Sequence, residues 1–345
     1  MPEQVTIIGD GAMATVCSIL LTSRGHGVTL WGAFEEEIEK LLQDRENRRF
    51  LPGVRIPSSV RLTSSEKDCF DGCTMIVSAV PAQYVRGVWQ RLAEFVPPGT
   101  PIVSTTKGIE TSTLLRPTQV IADVLGRGRH NATGPVCDWP LAVVSGPNIA
   151  AELARYLPAT AVVACTDGHV TERLRNALAT EWFRVYTNSD VVGVEIAGAT
   201  KNVIALAAGI LDGLGAGSNA KAALVTRGLV EITRLGIALG AQPATFTGLA
   251  GLGDLITTCI SPLGRNRHVG EQIGRRRRLD DILGEMSSVA EGVTTARAVR
   301  ELARRHNVAM PICEAVYSVL FEEKDPLVAL SELMLRDPKP EVTNA

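Results

Sequence analysis

The first half of the sequence alternates short β-branched runs with stretches of helical periodicity, and this pattern limits the possible folds more than any other feature. It is typical of a mostly parallel sheet wrapped by helices. From about Ser189 onward the strand pattern disappears and long helical patterns dominate, so we predict an α/β domain followed by an all-helical domain. The predicted strands are Val5–Gly9, Gly27–Trp31, Val60–Thr63, Thr74–Val80, Pro101–Thr105, Leu141–Ser145 and Thr160–Cys165, and the predicted helices include Lys221–Leu239, Thr294–Arg305 and Pro311–Phe321.

The size and charge of the chain agree with two domains that act on a small molecule. A chain of 345 residues that is 45% hydrophobic can form two cores, with a cleft between them. We place the boundary between residues 1–188 and residues 189–345. The formal net charge of -2 gives no overall attraction to nucleic acid or to an anionic membrane.

The sequence contains none of the patterns that we would expect of a secreted or membrane protein. The first strand pattern begins at Val5, which leaves no room for a basic stretch and a hydrophobic leader. No uninterrupted apolar run approaches the roughly 20 residues of a membrane span, so we expect a cytoplasmic protein. The seven cysteines are scattered, and Cys69 and Cys73 lack the spacing of redox or zinc pairs; we expect free, mostly buried thiols and no metal site. The run Arg275–Arg278 is interpreted as a solvated turn.

A glycine-containing loop follows the first predicted strand. Its sequence is Gly9-Asp-Gly11-Ala12-Met13-Ala14, and it leads directly into a helical pattern. Gly9 permits a tight turn, Gly11 lets the backbone approach phosphates, and Ala14 takes the place of the glycine that allows close helix packing. We therefore predict a Rossmann-type, doubly wound dinucleotide-binding domain with the pyrophosphate at the helix N-terminus. A chance glycine turn is the alternative.

The sequence leaves the choice between NAD and NADP open. An acidic residue at the end of the second strand usually binds the ribose hydroxyls of NAD. Here Trp31 is followed by Gly32, Ala33 and Phe34, and no acid occurs before Glu35. Nearby arginines, Arg48 and Arg49, are candidates for binding a 2'-phosphate, but the sequence does not determine their positions.

One lysine occurs in unusually apolar surroundings. Lys201 lies in the stretch Glu195–Leu211, which is rich in small residues and carries no other charge after Glu195. In a helix, Lys201 shares a close-packed face with Gly198 and Ala205, because residues three and four apart lie on one side. Burial disfavours the ammonium form, so we expect a lowered pKa and a role in proton transfer. The alternative is a lysine whose ammonium group reaches the surface.

Other polar residues occur where a substrate could bind. Lys107 follows a predicted strand at its carboxyl end, where open α/β sheets bind ligands. Asn148 also follows a strand and is either a ligand-binding amide or a helix N-cap. In the second half, Arg265 and Asn266 suit a phosphate, because a guanidinium group binds phosphate with two hydrogen bonds. The glycines of the segment Gly248–Asp254 are expected to allow close approach to a ligand or another helix.

With these segments in place, the chain resembles the glycerol-3-phosphate dehydrogenases. The resemblance runs nearly from end to end and implies interconversion of sn-glycerol 3-phosphate and dihydroxyacetone phosphate with NAD or NADP. The segments that carry it are Gly9–Ala14, Leu30–Gly32, Phe50–Gly53, Thr106–Glu110, Ser145–Glu152, Phe183–Tyr186, Lys201–Val203, Gly248–Asp254, Arg265–Arg267, Glu291–Gly292 and Met310–Pro311.

The resemblance also implies roles for individual residues. Lys201 corresponds to the proton acceptor, with Lys107 and Asp254 completing the catalytic set, and Asp254 and Asn202 are expected to orient Lys201. The implied cofactor contacts are Gly9, Gly11, Ala12, Met13, Ala14, Lys107, Ala150, Arg265, Val289 and Glu291. The implied substrate contacts are Lys107, Gly146, Asn148, Lys201, Asn202, Asp254, Gly264, Arg265 and Asn266.

Some positions depart from the family pattern. Asn148-Ile149 is closer to the eukaryotic form of the enzyme than to the bacterial one, and Gly264 replaces a serine that contacts phosphate. Ala33 replaces a polar or basic side chain that touches NADP, which weakens the case for that cofactor.

Two other functions are compatible with the same features. A β-hydroxyacid dehydrogenase of the 6-phosphogluconate type shares the two-domain plan and a lysine followed by asparagine, but acts on a carboxylate. A non-catalytic dinucleotide-sensing module is the second, and it would need neither Lys107 nor Lys201. A supply of glycerol 3-phosphate for phospholipid synthesis is what the resemblance suggests, and we leave open whether the chain forms a homodimer.

Overall fold

A twisted sheet of eight strands occupies the first half of the chain in a computed structural model that describes residues 2–126, 130–131, 134–135, 139–286, 289–337 and 340. A separate two-stranded ribbon lies between its fifth and sixth strands in the sequence. The strands are β1 Gln4–Ile8, β2 Gly27–Trp31, β3 Arg61–Thr63, β4 Met75–Ser78, β5 Ile102–Ser104, β6 His130–Asn131, β7 Gly134–Pro135, β8 Leu141–Ser145, β9 Ala159–Cys165 and β10 Phe183–Asn188; β6 and β7 form the ribbon.

The sheet brings the ends of several strands to one edge. Its order is β10-β9-β8-β5-β4-β1-β2-β3, and every pair of neighbours is parallel except β8 and β9. Ile8 is in register with both Trp31 and Ser78, and Ser78 is in register with Ser104. The loops that follow β1, β2, β4 and β5 therefore leave the sheet side by side, where ligands of open α/β sheets bind.

The predicted mostly parallel, doubly wound sheet is confirmed, with two details that the sequence pattern did not show. The segment Phe183–Asn188, which was not among the predicted strands, forms the edge strand β10. The strand β9 runs antiparallel to β8, which a local hydrophobic pattern cannot indicate because direction is set by the connection between strands.

Helices cover the sheet and form the whole of the second half within the described residues. The predicted helical patterns at Lys221–Leu239, Thr294–Arg305 and Pro311–Phe321 are confirmed. Around the sheet the helices are α1 Ala12–Ser23, α2 Glu35–Asp44, α3 Val85–Leu92, α4 Pro117–Leu125, α5 Ala150–Leu153 and α6 Gly168–Leu178. They are followed by α7 Val191–Gly213, α8 Gly217–Ala238, α9 Pro243–Phe246, α10 Asp254–Ile260, α11 Arg265–Gly274, α12 Leu279–Gly284, α13 Glu291–Arg305, α14 Pro311–Phe321 and α15 Pro326–Met334. Short 3₁₀ turns occur at Asp68–Phe70 and Ala82–Tyr84, and a π-helical segment spans Leu249–Gly253.

Helix α7 is the central element of the helical half. Its residues from Gly193 to Leu211 are all buried, and Asp190 caps its N-terminus by accepting a hydrogen bond from the Gly193 N–H at 2.8 Å. By length and composition α7 could cross a membrane, but 89% of its apolar window is buried inside the protein. A helix that is apolar on every side suits such a buried position.

The first residues of α7 are tied to the sheet domain by a buried carboxylate. Glu195 accepts hydrogen bonds from the Thr118 N–H at 2.8 Å and the Thr118 hydroxyl at 2.7 Å, and it forms an ion pair with Arg116. Both partners lie at the start of α4. The contact fixes where α7 begins relative to the sheet, since a buried carboxylate must keep its hydrogen bonds.

Glycines allow α7 and α11 to pack with their backbones nearly in contact. A Cβ atom on Gly209 would lie 1.9 Å from the Arg267 carbonyl oxygen, and one on Gly270 would lie 2.0 Å from the Leu206 carbonyl oxygen. No side chain fits at such distances. The packing places the first turn of α11, which carries two predicted substrate residues, beside α7.

Two smaller expectations are also confirmed. The described cysteines are free and mostly buried, while Cys137 lies outside the described residues. The run Arg275–Arg278 forms an exposed turn between α11 and α12.

We expect Gly270→Ala to destabilise the protein strongly. Overpacking usually costs about 1–3 kcal/mol, and here the added methyl group meets backbone that cannot rotate away, so Tm should fall by roughly 5–10 °C in thermal unfolding followed by circular dichroism. Gly168→Ala is the matched control, because Gly168 is also helical but has nothing within 4 Å of its Cβ position. An equal fall in both variants would show that the contact between α7 and α11 is not the cause.

Candidate active site

The loop after β1 has the geometry of an anion-binding turn. Gly9 has φ +115°, and a Cβ there would lie 2.6 Å from the Ala79 carbonyl oxygen, so only glycine fits. Gly11 has open space at its Cβ position and is the N-cap of α1, with no side-chain cap on the helix. The first N–H groups of α1, from Ala12 onward, are therefore available to a pyrophosphate. Ala14 is fully buried, as its packing role requires.

A small recess lies beside this loop. Met13, Lys107 and Asn148 all line it, so the loop after β1 and the loops after β5 and β8 meet there. Ala150, the first residue of α5, is partly buried and packs against the same core as Met13. The structure thus brings together residues that the sequence separates by more than 100 positions.

Lys107 extends from the carboxyl end of β5 across the site. Its ammonium group donates a hydrogen bond to the Gly146 carbonyl oxygen at 2.9 Å and lies 2.7 Å from Asp254 Oδ2. Gly146 has φ +146° and abuts the Thr160 carbonyl oxygen, which leaves no room for a side chain there. The lysine is held from both halves of the chain.

Lys201 lies on α7 opposite Lys107, with the same carboxylate between them. Its Nζ is 2.9 Å from Asp254 Oδ1 and donates a hydrogen bond to Thr258 Oγ1 at 2.5 Å. The side chain of Lys201 is 6% exposed and that of Asp254 is 3% exposed. The ammonium group therefore stays inside, and the alternative of a lysine that reaches the surface is wrong.

Burial sets the protonation behaviour of this cluster. Burial lowers the pKa of Lys201 to about 8, with Lys107 acting in the same direction and Asp254 opposing it. Burial alone would raise the pKa of Asp254, but the charges of Lys107 and Lys201 outweigh it and hold that pKa below its usual value. An ionised aspartate between two lysines results, with one lysine able to lose its proton near neutral pH.

Two hydroxyl groups in the cluster were missed by the sequence analysis. Thr258 lies one turn after Asp254 on α10, and its hydroxyl donates to the Asp254 carbonyl oxygen at 2.7 Å while accepting from Lys201. Ser145 ends β8 with a buried hydroxyl that has no partner among the described residues. A Cβ on Gly198 would lie 3.0 Å from that hydroxyl. The spacing of four between Asp254 and Thr258 was the available signal for the first; nothing local marks the second.

Two of the predicted roles for asparagines need correction. Asn202 donates to the Lys107 carbonyl oxygen at 3.1 Å, so it positions the backbone of Lys107 rather than the side chain of Lys201. Asn148 is not a helix N-cap, because Ile149 precedes α5 and the Asn148 amide donates to the Thr160 carbonyl oxygen at 2.9 Å. Lys201 and Asn202 are adjacent on α7, and adjacent side chains on a helix diverge by about 100°, so the two point in different directions.

The predicted phosphate residues lie at the rim of the same site. Arg265 is exposed, begins α11 after Gly264, and donates to the Val289 carbonyl oxygen at 3.0 Å. Asn266 is buried and accepts a hydrogen bond from the Gly292 N–H at 2.9 Å, so its carboxamide oxygen is already engaged. The side chain therefore anchors the start of α13 to α11.

Glu291 links the two halves of the chain at the other side of the cleft. Its carboxylate accepts a hydrogen bond from the Ala82 N–H at 3.1 Å, in the loop after β4. Burial raises the pKa of Glu291. Val289, two residues earlier, is 42% exposed and contributes its carbonyl group rather than its side chain to the contact with Arg265.

The glycine-rich segment before Asp254 has a structural explanation. A Cβ on Gly251 would lie 2.0 Å from the Phe246 carbonyl oxygen, so the π-helical segment packs directly on the backbone of α9. The expected close approach to another helix is confirmed. It delivers Asp254 to the first position of α10, facing both lysines.

A glycine loop that is open to phosphate and two lysines that share the buried carboxylate of Asp254 near the carboxyl edge of the sheet define a dinucleotide-dependent dehydrogenase of the two-domain class. The comparisons with known proteins give the same answer. The sequence profile for the N-terminus of NAD-dependent glycerol-3-phosphate dehydrogenase matches residues 4–171, and the profile for its C-terminus matches residues 190–331.

Full-length relatives and solved structures agree with both profiles. The chain is 46% identical over 341 residues to glycerol-3-phosphate dehydrogenase [NAD(P)+] of Citrifermentans bemidjiense, covering 99% of each chain. It is 46% identical over 340 residues to the enzyme of the same name from Streptomyces griseus, covering 99% of this chain and 98% of that one. The crystal structure of glycerol-3-phosphate dehydrogenase from Coxiella burnetii superimposes with a TM-score of 0.91 at 34% identity, covering 97% of this chain and 99% of that one. The chain therefore belongs to the NAD-dependent glycerol-3-phosphate dehydrogenase family.

We expect Asp254→Asn to lower the pKa of Lys201 further. The substitution removes the charge that favours the ammonium form and leaves Lys107 in place. The pH dependence of the reaction of Lys201 with an amine-selective reagent, followed by mass spectrometry, measures the change. Asp212→Asn is the control, because Asp212 lies on α7 with Lys201 but pairs with Lys221 and Arg267. An unchanged pKa in Asp254→Asn would show that the Asp254 charge does not favour the ammonium form of Lys201.

Proposed function

We propose that the protein catalyses the reversible reduction of dihydroxyacetone phosphate to sn-glycerol 3-phosphate with NADH or NADPH. The observation that carries this proposal is the cluster of Lys107, Asp254 and Lys201 beside the dinucleotide loop. A carbonyl placed there meets a proton donor and a second positive charge. Family membership supports the choice of substrate, because the relatives that cover the whole chain bear this activity in their names.

The two domains have different roles in the proposed reaction. Residues 1–188 hold the dinucleotide through the loop Gly9–Ala14 and the N-terminus of α1, and residues 189–345 supply most of the groups that face the substrate. When bound, the nicotinamide supplies or accepts the hydride at C2. The cleft between the two parts then contains Lys107 from one side and Lys201 from the other.

Lys201 transfers the proton. In the reduction, its ammonium group donates to the oxygen at C2 as negative charge develops there; in the oxidation, the neutral amine takes the hydroxyl proton. A pKa of about 8 makes both forms accessible near neutral pH. Thr258 and Asp254 hold the Nζ atom in place, which limits the directions in which its N–H bonds can point.

Lys107 and Arg265 provide positive charge for the substrate oxygens. Lys107 stabilises the developing alkoxide, since a fixed cation in a water-poor site acts strongly on new negative charge. Arg265 lies exposed at the rim, where a guanidinium group can bind the phosphate with two hydrogen bonds. Gly264 adds no hydroxyl, so the arginine carries more of the phosphate contact here.

We also propose a cytoplasmic location and a role in supplying glycerol 3-phosphate for phospholipid synthesis. The free cysteines among the described residues agree with a reducing compartment. Mixing the purified protein with dihydroxyacetone phosphate and either NADH or NADPH, and following the loss of reduced cofactor by absorbance, tests the activity. Turnover of 6-phosphogluconate instead would assign the β-hydroxyacid function, and binding without turnover would assign the sensor.

We expect Lys201→Ala to reduce kcat by about 10²–10⁴, the range for general acid–base catalysis, with little change in the dissociation constant of the dinucleotide. Steady-state kinetics and fluorescence titration measure the two quantities. Lys221→Ala is the control, because Lys221 is a lysine of the same helical half that pairs with Asp212 and not with Asp254. An unimpaired kcat would remove Lys201 from the proton-transfer role.

The same assay has a defined pH dependence. Oxidation of glycerol 3-phosphate should become faster as pH rises through about 8, because the neutral form of Lys201 is the base. Asp254→Asn should move this rise to lower pH, since it removes a charge that favours the protonated form.

We expect Arg265→Ala to raise KM for dihydroxyacetone phosphate by roughly 10- to 100-fold, because a charge-assisted hydrogen-bond pair is lost. The value of kcat should change less. Arg276→Ala, at an exposed arginine of the turn after α11, is the matched control. An unchanged KM in Arg265→Ala would place the phosphate elsewhere in the cleft.

A further inference from the structure

The structure places an acidic side chain at the end of β2, where the local sequence has none. Trp31 is followed by Gly32, and a Cβ built on Gly32 would lie 2.9 Å from Oδ2 of Asp10. Asp10 is the residue between the two glycines of the loop after β1. The Gly9 N–H donates to the Trp31 carbonyl oxygen at 2.8 Å, which holds the loop against this strand.

The loop backbone around Asp10 is fixed by a buried asparagine. Asn47 is 2% exposed, and its amide donates to the Asp10 carbonyl oxygen at 2.7 Å and to the Thr15 hydroxyl at 3.0 Å. These two bonds tie the loop to the first turn of α1. The backbone that carries Asp10 is therefore held in place by these bonds.

The Asp10 carboxylate is partly buried and makes no ion pair among the described residues. Burial raises its pKa, a hydrogen bond from its own backbone N–H opposes burial, and the charges of Glu37 and Arg49 raise and lower the pKa respectively. A carboxylate has two acceptor oxygens, so one that is half enclosed at the end of β2 and has no ion pair among the described residues is suited to hydroxyl donors.

Most of the arginines near the corner formed by Asp10 and the end of β2 already contact other residues. Arg91 lies over the Trp31 ring, but it pairs with Glu66 at 2.8 Å and donates to the Ala33 carbonyl oxygen. Arg48 faces Asp44 at 3.5 Å. Arg49 lies over the Phe50 ring, with its guanidinium carbon 4.9 Å from the ring centroid. A 2'-phosphate would meet one available guanidinium group and one carboxylate of like charge.

We propose that Asp10 makes the protein selective for NAD(H) over NADP(H). Its carboxylate accepts hydrogen bonds from the adenosine ribose hydroxyls and repels a 2'-phosphate, which carries a charge of about -1.5 to -2. Gly32 leaves room beside it, because a Cβ at this position would lie 2.9 Å from Asp10 Oδ2 and 2.7 Å from Ile38 Cδ1. The inference rests on the proposed dehydrogenase function, but it concerns binding and can be measured without turnover.

Isothermal titration of NADH and NADPH into the wild type, Asp10→Asn and Asp10→Ser, without substrate, tests the proposal. We expect the wild type to bind NADH at least about 10-fold more tightly, and the variants to lower that ratio roughly 10- to 100-fold, because a hydrogen bond to a charged group and a like-charge repulsion are both removed. Thermal unfolding of each variant confirms that the loop still folds, and Asp10→Ser covers the case in which the amide alone disturbs it.

Glu37→Gln is the matched control, because it removes a carboxylate from the same corner without changing the loop; Glu37 pairs with Lys40 at 2.8 Å. Its ratio should stay within about 2-fold of the wild type. An equal loss of selectivity in Glu37→Gln, or no change in the Asp10 variants, would overturn the proposal. Tighter binding of NADPH by the wild type, lost in Arg49→Gln, would also overturn it and assign the corner to a 2'-phosphate.

The activity assay separates this inference from the proposed function. Selective binding of NADH that depends on Asp10, without reduction of dihydroxyacetone phosphate, would support the role of Asp10 and contradict the proposed function. Reduction with equal use of both cofactors would contradict the role of Asp10 only. Failure to bind either cofactor would overturn both.

Discussion

The carboxylate of Asp254 lies between two lysine ammonium groups that come from different halves of the chain, 2.7 Å from Lys107 Nζ and 2.9 Å from Lys201 Nζ. The pairing matters most for Lys201, whose side chain is only 6% exposed, because moving an unpaired ammonium group out of water costs several kcal/mol. Together, the two ammonium groups and the carboxylate carry one net positive charge. A substrate oxygen bound in the cleft can reach this charge. The rest of the architecture serves to bring these three side chains together.

Helix α7 makes that meeting possible because small residues let other elements approach it from several sides. Gly198 brings the end of β8 close on one side, and Gly209 admits the backbone of α11 on another. Glu195 fixes the start of the helix to α4 through Thr118 and Arg116. A side chain in the middle of α7 is therefore largely surrounded by protein, and this is why Lys201 is desolvated. The lowered pKa of Lys201 is a consequence of helix packing as much as of its neighbours.

Much of the site could be predicted from sequence because its parts are local signals. The loop Gly9–Ala14 follows a strand and begins a helix, Lys107 follows a strand, and Lys201 lies in an apolar helical stretch; each pattern depends on residues within a few positions of one another. The partners of these residues could not be predicted in the same way. Asn202 was expected to orient Lys201, and instead it holds the backbone of Lys107. Thr258 was not recognised as a partner of Lys201 at all.

The sequence by itself determined most of the elements that form and marked Lys201 as a charge in a buried environment, since hydrophobic period and glycine position act over short distances. The tertiary structure alone decided which side chains meet. It reversed β9 relative to β8, turned Asp10 toward the end of β2 and placed Asp254 between Lys107 and Lys201. These outcomes depend on how strands connect and on how closely helices pack, and the contact between Lys107 and Asp254 joins residues that are 147 positions apart. No local pattern contains that information.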